Sequence, residues 1–404
     1  MKVAVLLGDG MADVAVEELG GATPLEAAAT PAMDALAREG TLGLARTVPE
    51  GMPAGSDVAN LSAFGYDPRV CYTGRAPLEA AAMGVSLGPD DVAYRMNLVT
   101  LRVGVGEVLL DDFSAGQVST EEARRIVETL SQELRDDGFE FYPGVSYRHL
   151  LVWRGGLGGA RTTPPHDIMG QPIQTYLPQG EGADALLGIM TGSQILLKEH
   201  PVNRERRSRG KKEANSVWLW GQGRRPRMES FRERFGLSGA VVSAVDLLKG
   251  IARVCGLEAL EVPGATGYLD TNYEGKAGAA LEALRRSDFV FVHVEAPDEA
   301  GHSGRVADKV RAIADFDGRI VAPVRAGLEA MGEPFVLLVM PDHPTPLHLR
   351  THTSEPVPFA LYRSDGASSV PGTAFTEAAA AATGVFVPEA HRLMEQILGR
   401  ARLW

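Results

Sequence analysis

Six side chains in this chain have the types and spacing of metal ligands. Asp298 and His302 stand one helical turn apart in EAPDEAGHSG, so a carboxylate and an imidazole can converge on one ion. Asp342 and His343 are adjacent after an apolar run, where neighbouring side chains are expected to diverge and to serve one ion or two. His352 follows in RTHTSEPVPF, and Asp9 adds a hard oxygen ligand near the N-terminus. With an oxygen from Ser56 the donors suffice for two divalent ions. Mixed Asp and His coordination suits Mn2+ or Zn2+ better than Ca2+, which prefers an all-oxygen shell. Taken singly, each residue is an ordinary turn former or polar loop residue. As a set at the ends of apolar runs, turn chemistry does not explain them.

Ser56, in PAGSDVANLSAFG, follows a Pro/Gly turn at the start of a helical pattern. A serine before an aspartate is a common N-cap. The other reading makes it a nucleophile, with a helix N-terminus and a metal ion stabilising its alkoxide and a phosphate bound to it. A bare hydroxyl needs such activation at neutral pH. Spacing alone leaves the two readings level.

These residues need elements to hold them. The apolar runs at 3–7 (VAVLL), 289–294 (FVFVHV) and 335–340 (FVLLVM) lead into Asp9, Asp298 and Asp342. Each reads as a buried parallel strand that delivers a carboxylate past its C-terminal end, the edge where open α/β sheets bind ligands. Such runs alternate with amphipathic helical stretches, which predicts an α/β fold with a mostly parallel sheet flanked by helices. The rhythm changes after Gly88: a strand at 94–101, a helix from Thr120, and two strand-like runs ending at 147–153. Residues 88–165 therefore read as a smaller inserted α+β domain, with GGLGG at 155–159 and Pro164-Pro165 as its exit linker. Residues 1–87 and 166–404 are left as the discontinuous metal-binding, phosphotransfer domain.

Composition narrows the function. The 404 residues carry 40 Lys and Arg against 52 Asp and Glu, a formal charge of −12. Such a surface repels nucleic acid and anionic membrane, yet it still permits an anionic substrate in a locally basic cleft. MKVAVLLGDG lacks the features of a signal peptide, and no eighteen-residue apolar run occurs, so no membrane partner and a cytoplasmic setting are expected. Cys71 and Cys255 form no metal or disulfide pattern, which agrees with a reducing compartment. The segment 200–227 is rich in Arg and Lys and reads as a solvated loop and helix face. Trp218 and Trp220 are too few for a nucleic-acid stacking platform. The oligomeric state is not legible.

The motifs GDGMAD, GSDVANLSAFGYDP, YTGRAPLEAAAMG, RMNLVT, YRHLL, GATGYLDTNYEGKA and HVEAPDEAGHSG occur in that order, followed by PDH and HTSEPVPF. This order resembles the cofactor-independent phosphoglycerate mutases of archaeal type, in the alkaline phosphatase-like metalloenzyme superfamily, over nearly the whole chain. The resemblance implies one metal on Asp298, His302 and His352, and another on Asp9, Asp342, His343 and the Oγ of Ser56. It implies that Ser56 becomes a phosphoserine and that the inserted block is a mobile substrate-holding domain. Arg75 and Arg148 would grip phosphate and carboxylate, since guanidinium forks match both groups. His149 would be a proton carrier or hydroxyl contact, and Asn60, Arg95, Asn97, His166 and Lys276 are further candidates from the same motifs. The implied reaction interconverts 3- and 2-phosphoglycerate without bisphosphoglycerate, on a small phosphorylated carboxylic acid. PDHPTPLHLRTHT and TTPPHDI depart from the archaeal pattern and resemble a bacterial subgroup with a proposed homoserine kinase role. A phosphatase of the same superfamily would share the ions and the nucleophile.

Overall fold

The eight-stranded sheet of the structure, a computed structural model describing residues 1–135, 138–366 and 369–404, places the three expected strands side by side. Its order is Glu258–Leu260, Gly239–Val242, Phe289–Val294, Lys2–Gly8, Phe335–Met340, Val357–Arg363, Thr41–Ala45 and Phe386–Val387. Neighbouring strands are parallel except in the two pairs made by Val357–Arg363. Parallel strands need crossover helices, which cover both faces, so these strands are apolar throughout rather than alternating. Leu6, Val292 and Val339 are buried in one core with Ala280 and Leu284 from the helix Tyr273–Arg286, and Ile313 and Phe316 from Val306–Phe316. Each large side chain so buried contributes about 1.5–3 kcal/mol. Strand direction has a chemical consequence. Gly8, Val294 and Met340 end at one edge, so Asp9, Asp298 and Asp342 arrive together, and the reversed strand Val357–Arg363 starts there and brings His352 with it.

Contacts divide the chain into two units, Met1–Tyr72 with Arg227–Trp404, and Thr73–Pro226. The sheet above belongs to the first. Cys71 and Cys255 are buried free thiols in it. Among the described residues no helix is long and apolar enough to cross a membrane.

The second unit is α+β, as expected, but wider than 88–165. Its sheet runs Val108–Asp112, Val92–Val103, Arg148–Trp153 and Phe139–Tyr142, and Ser216–Gly223 also pairs with Val92–Val103. That last pairing brings 166–226 into the unit, and no local signal marks a partner so distant in sequence. GGLGG is accordingly not an exit, since Ala160–Arg161 pairs onward with Gln179–Gly180. One sheet face packs Tyr94, Met96, Leu151 and Leu219 against the helices Thr120–Glu133 and Ala183–Leu197. The other packs Ala93, Leu150 and Val152 against Ala76 and Ala80 of the helix Arg75–Ala82.

Seven of the nine Arg and Lys residues in 200–227 are exposed, as a solvated loop and helix face requires, and Arg206 is the buried exception. Arg206 is fully buried, with Nη1 on Glu122 at 2.7 Å and Nη2 donating to the Ala115 carbonyl at 2.6 Å. Arg207 pairs with Glu213, and Lys212 with Asp111 and Asp112.

Candidate active site

Asp298 lies in the first turn of the helix Ala296–Ser303, which puts His302 on the same side one turn later. The Nε2 of His302 is 3.1 Å from Asp298 Oδ2, and the Nε2 of His352 is 3.5 Å from Asp298 Oδ1. The two imidazole nitrogens face each other at 2.9 Å. Nδ1 of His302 donates to the carbonyl of Arg350, which aims Nε2 into the cluster. Arg350 has φ of +56°, a sparsely populated conformation for a side-chain-bearing residue, in the loop that carries His352.

A second trio, Asp9, Asp298 and His343, has ligand atoms within 4.8 Å of one another, so Asp298 belongs to both. Asp342 and His343 do not diverge. Asp342 Oδ2 is 3.3 Å from His343 Nε2, because the strand ends at Met340 and the backbone bends at Asp342 and His343. The backbone N–H groups of Gly10 and His343 donate to Asp342 Oδ1 at 3.1 and 2.9 Å. Gly10 has φ of +62°, and a Cβ there would lie 2.5 Å from Thr345 Oγ1, so both conformation and space require glycine.

Ser56 opens the helix Ser56–Ala63, but the N-cap is Gly55, in extended backbone. The hydroxyl is therefore free of the capping role, and its Oγ lies 3.1 Å from His343 Nε2. One turn on, Asn60 is buried and donates to the Ser56 carbonyl at 2.9 Å and to Asp342 Oδ2 at 2.8 Å.

The electrostatics call for cations. Burial, then the charges of Asp342 and Asp298, push the Asp9 carboxyl well above its ordinary range. Its Oδ1 is buried without a hydrogen-bond partner among the described residues. Burial opposes ionisation of Asp298 too, but hydrogen bonds from His302 and His352 outweigh it and hold that carboxyl low. The same partnership lifts His302 to about 9 against burial. Three clustered carboxylates, an orphaned carboxylate oxygen and two imidazole nitrogens aimed at each other fit hard-to-borderline divalent ions.

In the second unit, Glu79 sits between two guanidinium groups, 3.0 Å from Nε of Arg75 and 2.9 Å from Nε of Arg95. Arg95 lies over the Trp220 ring at 4.1 Å, and Trp220 Nε1 donates to Asn97 Oδ1 at 3.0 Å. His166 meets the same Trp220 edge-on. Arg148 is opposite Asn97 in the strand register and so shares its face. Burial first, and then the charges of Arg75 and Arg148, lower Arg95 to about 10 despite Glu79. Arg75 and Arg95 share one carboxylate, and Arg148 adds a third positive charge that acts on Arg95. His149 is not part of this cluster. It pairs with Met96, points to the opposite face and is buried, its Nδ1 accepting from the Gly144 N–H at 3.0 Å. Burial pushes it down to about 4, so it is neutral at pH 7.

Residues 37–203 match the family model of 2,3-bisphosphoglycerate-independent phosphoglycerate mutase. A probable enzyme of that name from Geobacter sulfurreducens is 56% identical over 400 residues, covering 99% of this chain and 100% of the relative. The chain belongs to this mutase family. The Methanosarcina acetivorans member is 57% identical, over 91% of this chain and 92% of its own. Among solved structures, the PH0037 protein from Pyrococcus horikoshii aligns with a TM-score of 0.83 at 30% identity, covering 100% of this chain and 98% of its own. The cofactor-independent phosphoglycerate mutase from Thermoplasma acidophilum aligns at 0.67 and 26% identity, covering 100% of both chains.

Within the mutase fold, the motif list left His293 without a role. Its Nε2 lies 2.8 Å from Asp9 Oδ2, and its Nδ1 lies 3.2 Å from Ser243 Oγ, which accepts from the Val245 N–H. Burial drives it down to about 3, so the neutral ring donates Nε2–H to Asp9 and accepts at Nδ1. The signal was there: His293 is the sole polar residue in the run FVFVHV. Lys276 stands behind it, buried, donating to the His293 carbonyl at 3.2 Å. Burial lowers that lysine to about 8.

Proposed function

We propose that the chain interconverts 3-phosphoglycerate and 2-phosphoglycerate without bisphosphoglycerate, passing the phosphoryl group through Ser56. The observation that carries this reading is Ser56 Oγ, at a helix N-terminus, 3.1 Å from His343 Nε2 inside a buried cluster of carboxylates and imidazoles. Asp298, His302 and His352 would hold one divalent ion, and Asp9, Asp342, His343 and Ser56 Oγ the other, with Mn2+ or Zn2+ suited to the donors. Such ions supply charge neutralisation for the phosphoryl oxygens and a lowered pKa for the Ser56 hydroxyl.

The protein's own groups do the rest. The helix N-terminus favours the dianion formed on Ser56. Ser56 Oγ bonds to phosphorus as the substrate's ester oxygen leaves and takes a proton. The second half-reaction returns the phosphoryl group to the other hydroxyl of the retained glycerate. Asn60 steadies both Asp342 and the Ser56 carbonyl. Arg75, Arg95 and Arg148 offer forked donors for carboxylate and phosphate oxygens. The substrate is then a small phosphorylated acid, and the setting is the cytoplasm.

Incubation with 3-phosphoglycerate and Mn2+, without nucleotide or bisphosphoglycerate, should yield 2-phosphoglycerate by phosphorus NMR. Inorganic phosphate as the only product would mark a phosphatase. Phosphohomoserine from homoserine and ATP, with no 2-phosphoglycerate, would replace the substrate and leave the Ser56 chemistry standing.

A further inference from the structure

We propose that the Thr345 hydroxyl is a positioning group that joins the two ligand sets, accepting Nδ1–H from His343 and donating its own proton to Asp298. Thr345 is completely buried, with Oγ1 2.5 Å from Asp298 Oδ1 and 3.3 Å from His343 Nδ1. A hydroxyl has one proton and two acceptor sites. The short contact to a carboxylate oxygen claims the proton, so the contact to His343 must be one in which nitrogen donates. The tautomer follows: His343 carries its hydrogen on Nδ1 and presents a lone pair at Nε2, toward Ser56 Oγ and Asp9. One side chain thereby orients the carboxylate common to both trios and the imidazole beside the nucleophile.

The surroundings fix the backbone that carries this hydroxyl. The Thr345 N–H donates to the Ala12 carbonyl at 3.1 Å, and its own carbonyl accepts from Lys309 Nζ at 2.8 Å. That buried ammonium also holds Asp13 at 2.7 Å and the Ala12 carbonyl at 3.3 Å, stitching the loop after Asp9 to the loop after His343. Gly301 lies against the methyl group, and a Cβ there would be 2.8 Å from Thr345 Cγ2. Methyl and hydroxyl thus have different neighbours, which makes the two separable by substitution.

The inference rests on the two-ion reading, and the test keeps the two apart. Zn2+ affinity and stoichiometry are measured by chelator competition on the wild type, T345V and T345S, alongside the unfolding midpoint of each metal-free protein. The hydroxyl role predicts T345S close to wild type and T345V weaker by on the order of 10–100-fold, the usual loss when a group supporting a ligand is removed. A packing role predicts the reverse, because valine keeps the methyl and serine loses it. T345V binding Zn2+ as tightly as T345S overturns the inference. Should T345V fail to fold, T345A against T345S makes the same comparison. A wild type that binds no Zn2+ removes the two-ion reading itself.

Discussion

Ser56 Oγ and His343 Nε2 lie 3.1 Å apart although 287 positions separate the two residues. Ser56 starts a helix, and His343 follows the Phe335–Met340 strand. Only folding brings the hydroxyl to the imidazole, and with Gly55 as the N-cap the serine does not cap its helix.

Replacing Ser56 with alanine should leave a protein that still binds metal through its other ligands, with helix stability near wild type since Gly55 is the N-cap. Turnover should fall by at least ~10^4-fold, as expected when a covalent nucleophile is lost. Rapid quenching of wild type with labelled substrate should place phosphate on the peptide containing Ser56. Label elsewhere, or an active alanine variant, would refute the assignment.

Chelation should abolish activity, and Mn2+ or Zn2+ should restore it. Because Asp298 would hold one ion and also lies within 4.8 Å of the Asp9 and His343 donors of the other, D298N should lose the first ion and weaken the second, whereas H302A should weaken the first alone. Elemental analysis after dialysis reads this directly. Equal effects of the two variants on both ions would contradict this arrangement.

E79Q removes the carboxylate between Arg75 and Arg95 while keeping its shape. Arg95 is then left buried beside other guanidinium groups, at a cost of about 2–4 kcal/mol. Urea unfolding measures it. Unchanged stability would show that the pair is already screened by water.

His149 gives a pH dependence with a definite sign. Burial lowers it from 6.5 to about 4, so between these values the unfolded chain binds a proton that the folded chain does not. Stability therefore rises with pH across that window, by about 3 kcal/mol in total, and falls as pH drops. Unfolding of the wild type from pH 4 to 7 should steepen relative to H149Q. Parallel curves would show that His149 is already solvated or paired.

Much of the candidate site's edge was legible in the sequence. The runs VAVLL, FVFVHV and FVLLVM are strands, each followed by its carboxylate, because a strand buried on both faces needs an unbroken apolar run. Asp298 and His302 converge because helical periodicity is local. Family motifs supplied the remaining candidate ligands.

The tertiary structure decided what depends on distant pairing. That the three strands are neighbours makes their separate carboxylates one cluster, and strand order has no local signature. The bend at Asp342 and His343 makes the two side chains converge where an extended chain would part them. The second unit reaches Pro226 because Ser216–Gly223 pairs with Val92–Val103. Arg148 and His149, adjacent in sequence, face opposite ways because strand side chains alternate, and only the register says which face holds the guanidinium groups. Composition and periodicity fix what a segment can bury, while the pairing of remote segments fixes which side chains share a site.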